Sequence, residues 1–151
     1  MRILYVLCSS FLLLSMSCKN DFYVQRKNND SDKREGEKIT GTYFDNILLE
    51  KPEENLKLFS EEFFKQTSKE DLLKQFRLIE EKLGKLTSKE IQVWETSVLN
   101  GTNPKSEYLF IYNVEREKFN SVETFYLMKE SNDSIKIYSY KIESKGLLTS
   151  E

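Results

Sequence analysis

Histidine is absent from this 151-residue chain, and its only two cysteines, Cys8 and Cys18, both lie near the N-terminus. The lack of histidine excludes the Ser-His and Cys-His pairs of nucleophilic enzymes and histidine-ligated zinc. The five glycines are scattered, and none forms the G-x-x-x-x-G-K loop that holds phosphates. We therefore expect no metal site, no cofactor and none of these classes of enzyme.

The chain also lacks any surplus of positive charge. It carries 23 Lys and Arg against 25 Asp and Glu, a formal net charge of −2. A nucleic-acid partner would normally require a basic face, so we expect none. The length is enough for one domain of ordinary size.

The first eighteen residues have the layout of an export signal. Arg2 gives a positive start, residues 3–14 are almost wholly apolar, and small residues, Ser15 and Ser17, come just before Cys18. The apolar run is about a dozen residues long, whereas a membrane-spanning helix needs ~20. This pattern predicts a cleavable signal peptide over residues 1–17.

A cysteine directly after this run resembles the signal of bacterial lipoproteins, in which the thiol receives a diacylglyceryl group. The usual leucine three residues before the cysteine is Ser15 here, and Leu14 stands one place further back. The resemblance implies lipidation of Cys18, with acyl chains such as palmitate. It also implies a place in the cell envelope, lipid-anchored to a bacterial membrane on its periplasmic or surface face. The alternative is an ordinary signal peptide cleaved near Ser17.

The next segment is polar. Residues 19–37 contain only three apolar side chains, Phe22, Tyr23 and Val24. Such a composition cannot bury enough surface to offset the entropy of ordering the chain. We therefore predict that residues 18–37 form the lipidated cysteine and a flexible tether, and that residues 38–151 form the folded domain.

Helical periodicity begins with the domain. Apolar residues recur three and four positions apart from Ile39, and Pro52 fits the first turn of a second helix. Ser68 followed by Asp71 is a helix-capping signature, and Gly84 is typical of a helix C-terminus. The pattern predicts two or three helices, of which the clearest covers residues 69–83.

After Gly84 the apolar period changes from about 3.6 to two. Four β-forming runs follow, with short polar connections between them, over residues 91–98, 108–114, 122–128 and 135–142. Short connections indicate consecutive antiparallel hairpins. The sequence predicts an α+β domain in which two or three N-terminal helices pack on a curved four-stranded antiparallel meander.

Residues 38–149 resemble the cystatin-like, nuclear-transport-factor-like domains of small exported bacterial proteins. The resemblance lies in the helix ending at Leu83-Gly84 after Thr67-Ser68, in the strand 108–114 leading to Val122-Glu123, and in Ile135-Lys136-Ile137 with Tyr138-Ser139-Tyr140 ahead of Ser144. It implies a cone-shaped cavity between sheet and helices. Some members are enzymes that use acidic and histidine side chains there; without histidine, that catalytic pattern does not carry over.

Strand parity suggests which faces of the sheet are buried. Aliphatic and Phe side chains predict a core of Leu109, Ile111, Phe125, Leu127 and Ile137 beneath the helices, opposite Leu72, Phe76 and Ile79. The tyrosines then fall on the other face. Glu123 shares parity with Phe125 and is expected to point inward at the open end of the sheet.

The aromatic side chains are either structural cross-strand pairs or a surface for a partner. On the second interpretation, the candidate binding residues are Trp94, Tyr108, Tyr112, Glu123, Tyr126, Tyr138 and Tyr140.

The residue inventory favours a membrane-anchored envelope lipoprotein that is not an enzyme and acts as a non-catalytic binding or interaction module. Its expected partners are the membrane, through the lipid on Cys18, and an envelope protein or a small ligand. The alternative is a small hydrolase or isomerase that uses carboxylates and tyrosines in the cavity of the fold.

Overall fold

The computed structural model describes residues 24–148, and over this range it confirms the α+β class. The chain forms, in order, β1 (Val24–Lys27), α1 (Asp30–Leu48), a 3₁₀ helix (Pro52–Leu58), α2 (Glu61–Phe64), α3 (Lys69–Leu83), β2 (Leu86–Asn100), β3 (Lys105–Arg116), β4 (Ser121–Lys129), β5 (Ile135–Glu143) and α4 (Lys145–Leu148). Among these residues, no helix combines the length and hydrophobicity needed to cross a bilayer.

Over residues 24–148 the sheet has five antiparallel strands, where the sequence predicts four. Strands β2 to β5 are the expected meander, and β1 is added at the edge beside β2. Val24 lies opposite Asn100, and Lys27 lies opposite Ser97. All four side chains of β1 are exposed, so this strand is held by backbone pairing with β2 and by polar side-chain contacts, and not by burial.

The prediction of a tether is wrong for residues 24–37, which form β1 and the first turns of α1. Asn29 caps α1 by accepting a hydrogen bond from the Ser31 backbone N–H at 2.9 Å. The Arg26 Nε donates to Asp32 Oδ2 at 2.7 Å, and Asp32 is buried. These polar contacts order a segment that has almost no apolar side chains. The signal (1–17), Cys18 and residues 19–23 lie outside the described residues.

Helix α3 forms as its capping signature predicts. The Ser68 hydroxyl accepts a hydrogen bond from the Asp71 backbone N–H at 3.1 Å. The helix ends at Gly84, whose φ of 81° is a left-handed conformation that glycine adopts without strain. Its buried face consists of Leu72, Phe76, Ile79 and Leu83.

The helix-facing side of the sheet follows the expected parity on β4 but not on β3. On β5 the prediction holds for Ile137 and is wrong for Tyr140, which packs against Tyr43 and Phe125 on the helix-facing side. Phe125, Leu127 and Ile137 are fully buried, as predicted. On β3 the prediction is wrong, because the buried side chains are those of Tyr108, Phe110, Tyr112 and Val114, while Leu109 and Ile111 lie half-buried on the other face.

The register in which neighbouring strands pair explains which side chains lie on the helix-facing side of the sheet. Phe110 of β3 lies opposite Phe125 of β4, so both side chains point to the same side of the sheet. A register irregularity between β4 and β5 near Tyr126 then places both Ile137 and Tyr140 on the helix-facing side.

Helix α1 approaches the sheet closely at Gly36. A Cβ at this position would lie 2.4 Å from Cε2 of Phe110, whereas a Cβ at Gly41 of the same helix meets nothing within 4 Å. We expect Gly36→Ala to lower the free energy of unfolding by about 1–3 kcal/mol, through overpacking. Gly41→Ala should raise it by roughly 0.5–1 kcal/mol, because alanine favours the helix. Urea unfolding of both variants checks the pair, and a shift of the same sign in both would contradict this packing.

Candidate functional site

A cavity of about 440 Å³ opens where the end of α1, the 3₁₀ helix and α3 meet the end of the sheet. We call it the α1–α3 cavity. Its apolar walls come from the two long helices, from Pro52 and from the start of β2, and charged side chains surround them. The lining residues are Tyr43, Ile47, Leu48, Glu50, Pro52, Glu53, Phe76, Arg77, Ile79, Glu80, Lys85, Leu86 and Arg116.

Local sequence explains how these walls arise. Tyr43 and Ile47 are one helical turn apart on α1, and Phe76 and Ile79 are one turn apart on α3, so each pair lies on one helix face. Gly84 ends α3 and leads into β2, which places Leu86 beside both helices. The same apolar faces that hold the helices on the sheet therefore form the cavity.

A buried ion pair lies at the inner end of the cavity. Arg116 is the last residue of β3, and its Nη2 donates to Oε1 of Glu123 on β4 at 2.7 Å. The exposed fractions of the two side chains are 3% and 0%. Glu123 also accepts hydrogen bonds from the Ser121 hydroxyl at 3.1 Å and from the Tyr140 hydroxyl at 2.8 Å. The structure thus confirms that Glu123 points inward.

Two tyrosines continue this network. The Tyr140 ring packs against the ring of Tyr43, with 5.5 Å between their centroids, and Tyr43 lines the cavity. Burial, and next the nearby charge of Glu123, raise the pKa of both phenols well above the usual value of 10.0. Both hydroxyls therefore remain protonated at neutral pH. Glu123 is connected to the cavity wall by two routes, one through Arg116 and one through the tyrosines.

One atom of this network has no partner. The Nε of Arg116 is buried and makes no hydrogen bond within the described part of the chain. A buried donor without an acceptor costs about 1–3 kcal/mol. The structure therefore holds an unused donor on a residue that lines the cavity.

The aromatic residues proposed from the sequence do not form one site. Tyr108 and Tyr112 are buried under α1, where their hydroxyls contact Glu35 at 3.4 Å and Thr40 at 2.7 Å. Burial is the main cause that raises the pKa of each to about 12. Both serve in the core.

Three further candidates lie apart from the cavity. Trp94 is half-buried, with the Lys33 Nζ 5.3 Å from its ring centroid. Tyr126 lies on the outer face of the sheet, where it hydrogen-bonds Glu107; burial raises its pKa to about 12. Tyr138 is half-buried near the irregularity in β5. Of the seven candidates, only Glu123 and Tyr140 belong to the network beside the cavity.

Sequence reasoning missed Arg116 and the apolar walls of the cavity. The sequence did contain a signal for the position of Arg116, since this residue shares strand parity with Tyr112 and Val114 and therefore lies on the same face of β3. Strand parity in the sequence predicts that this face of β3 is the outer, solvent-facing one, and an arginine on an outer face is ordinary.

Comparison with known proteins gives no relative. No protein-family model matches the chain, no curated protein is similar to it, and no solved structure matches its fold. Within residues 24–148, no group of three or more acidic, histidine or cysteine side chains is placed to hold a metal ion.

Proposed function

We propose that this protein is a non-catalytic binding module, lipid-anchored to a bacterial membrane through Cys18, and that its ligand occupies the α1–α3 cavity. We also propose that the domain has the cystatin-like, nuclear-transport-factor-like fold. Helices on one face of an antiparallel meander support that assignment.

The cavity carries the proposal. Its volume of about 440 Å³ falls within the ~300–1,000 Å³ that is usual for small-molecule sites. Such sites combine mostly apolar walls with a few polar groups. Here the two long helices supply apolar side chains, and six charged side chains, Arg116 among them, share the lining, so this cavity is more polar than is usual for such sites.

The burial and the hydrogen bonds of Glu123 support a binding role over the hydrolase or isomerase alternative. A general base must come within hydrogen-bond reach of the proton that it removes. The Glu123 side chain is 0% exposed and already accepts from Arg116, Ser121 and Tyr140. It has no open approach for a substrate.

The membrane anchor is tested at the cysteine. We expect Cys18→Ser to move the protein from the membrane fraction to the soluble fraction, because the acyl chains supply the membrane affinity at ~0.8 kcal/mol per buried methylene. Fractionation of cells expressing each form measures this. A Cys18→Ser protein that still sediments with membranes would show that the anchor lies elsewhere.

Ligand binding is tested by filling the cavity. N-phenyl-1-naphthylamine, a neutral apolar dye that fluoresces away from water, should bind saturably. Ile47→Phe places a larger side chain in the cavity and should weaken dye binding at least about tenfold, or ~1.4 kcal/mol. Val93→Phe is the matched control, because Val93 is 39% exposed and lies opposite Ile111 on the outer face. Equal weakening by both substitutions, or no saturable binding, would refute the site.

A further inference from the structure

The chain between Cys18 and the folded domain is short. Strand β1 begins at Val24, six residues after Cys18. A polypeptide extends at most ~3.3–3.6 Å per residue, so this connection reaches ~22 Å at most, whatever its conformation. A cysteine whose acyl chains lie in the hydrocarbon core is itself at the bilayer interface. On the proposed function, Val24 therefore lies within ~22 Å of the membrane surface.

Val24 marks one end of the sheet, which we call the hairpin end. It lies opposite Asn100, the last residue of β2, and the β2–β3 connection over residues 101–104 follows directly. The β4–β5 connection over residues 130–134 lies at the same end, because β2 and β4 are both antiparallel to β3. The hairpin end thus consists of the start of β1 and these two connections.

The α1–α3 cavity lies at the opposite end of the sheet. Its lining includes Leu86, the first residue of β2, and Arg116, the last residue of β3, which pair with each other. The 12-residue strand β3 connects the two ends, and at roughly 3.3 Å per residue it spans about 36 Å. The cavity end is therefore farther from Val24 than the connection to Cys18 can reach.

These two lengths exclude one orientation on the membrane. With the cavity end directed at the bilayer, Val24 would stand about 36 Å above the surface, whereas the connection reaches only ~22 Å. Even a curvature that shortens the sheet by about a quarter leaves it longer than the connection. Tilting of the domain about its hairpin end lifts the cavity end away from the surface, because the bilayer blocks movement in the other direction.

Surface composition by itself does not favour the hairpin end as the membrane contact. Two of its lysines already have acidic partners, with the Lys105 Nζ 2.7 Å from Glu107 Oε1 and the Lys129 Nζ 3.8 Å from Asp133 Oδ1. Large apolar side chains are exposed toward the cavity end instead: Leu48, Leu49, Phe119 and Leu148. The length of the connection to Cys18 is therefore the feature that determines the orientation.

Resting on the proposed lipid anchor, we propose that the short connection holds the hairpin end of the sheet next to the bilayer surface, facing the lipid head groups, and keeps the α1–α3 cavity away from it. The ligand then enters the cavity from the aqueous compartment and not from the lipid. Six charged side chains in the cavity lining suit a ligand that arrives from water.

The test uses introduced cysteines as labelling sites. The chain contains only Cys8 and Cys18; the first is lost with the signal peptide, and the second is blocked by its lipid. The lipidated protein carries Asn103→Cys or Ser131→Cys at the hairpin end, or Glu53→Cys at the cavity. Each form is labelled with fluorescein and reconstituted in phosphatidylcholine vesicles that contain rhodamine-labelled phosphatidylethanolamine.

We expect energy transfer to the lipid head groups to be at least about twofold more efficient from Asn103→Cys and Ser131→Cys than from Glu53→Cys, because the length of the sheet separates the two ends. Circular dichroism checks that each labelled form is folded.

The matched variant lengthens the connection. About twenty glycine and serine residues inserted between Tyr23 and Val24 add a reach of roughly 25 Å, which allows the domain to turn over. Energy transfer from Glu53→Cys should then rise until it equals or exceeds that from Asn103→Cys.

Two outcomes would overturn the inference while leaving the lipid anchor intact, because the protein stays on the vesicles in both. One is energy transfer from Glu53→Cys that equals or exceeds that from the hairpin positions with the native connection. The other is a difference that persists unchanged after the insertion. A chain that separates from the vesicles on flotation would instead refute the anchor of the proposed function, and this orientation with it.

Discussion

Replacing Glu123 with leucine should lower the free energy of unfolding by about 3–5 kcal/mol, because the substitution leaves a buried arginine without its counter-ion. The Arg116 side chain is only 3% exposed, so water cannot replace the carboxylate. The hydroxyls of Ser121 and Tyr140 lose their acceptor in the same step. Urea unfolding followed by circular dichroism measures the loss.

The double variant Arg116→Met with Glu123→Leu should recover most of this stability. Removing both charges eliminates the desolvation cost of the pair, and similar replacements elsewhere are often neutral or stabilising. We expect it to lie within about 1–2 kcal/mol of the unaltered protein, since the Tyr140 and Ser121 hydroxyls still lack an acceptor. Glu54→Gln, which removes the exposed partner of Lys57, is the surface control and should change little. If the losses from Arg116→Met and Glu123→Leu simply add in the double variant, the two residues are not an energetic pair.

The parts of the fold that local sequence determines were predictable. Helix α3 follows from the cap at Ser68 and the left-handed Gly84, which lie at its two ends. The meander follows from strand periodicity with short connections, and the inward direction of Glu123 follows from its parity with Phe125. Each inference depends on residues close together in the chain.

The parts that depend on distant contacts were not predictable. Strand β1 is a polar segment whose order comes from backbone bonds to β2, some seventy positions later. Arg116 lines the cavity only because the face of β3 that it shares with Tyr112 and Val114 points inward, toward Glu123 and the cavity. A strand that is apolar on both faces gives no sequence signal for which face is buried.

Two neighbouring residues on opposite faces of β3 provide the sharpest test of which face of this strand is buried. Phe110 is fully buried against Gly36 of α1 and lies opposite Phe125. Ile111 is half-buried on the uncovered face, opposite Val93 and Thr124. Sequence parity alone had placed Ile111 in the core.

Phe110→Ala should therefore lower the free energy of unfolding by about 3–5 kcal/mol, because it removes a buried ring and leaves a cavity that α1 cannot fill. Ile111→Ala should cost only about 1–2 kcal/mol, since a half-buried side chain loses less apolar contact and water can fill the space. Both are measured by urea unfolding with the slope of the transition compared between variants. A larger loss from Ile111→Ala than from Phe110→Ala would mean that the helices cover the other face of β3. Arg116 lies four residues after Tyr112 on the same face of β3. In that case its side chain could not reach Glu123 or the cavity.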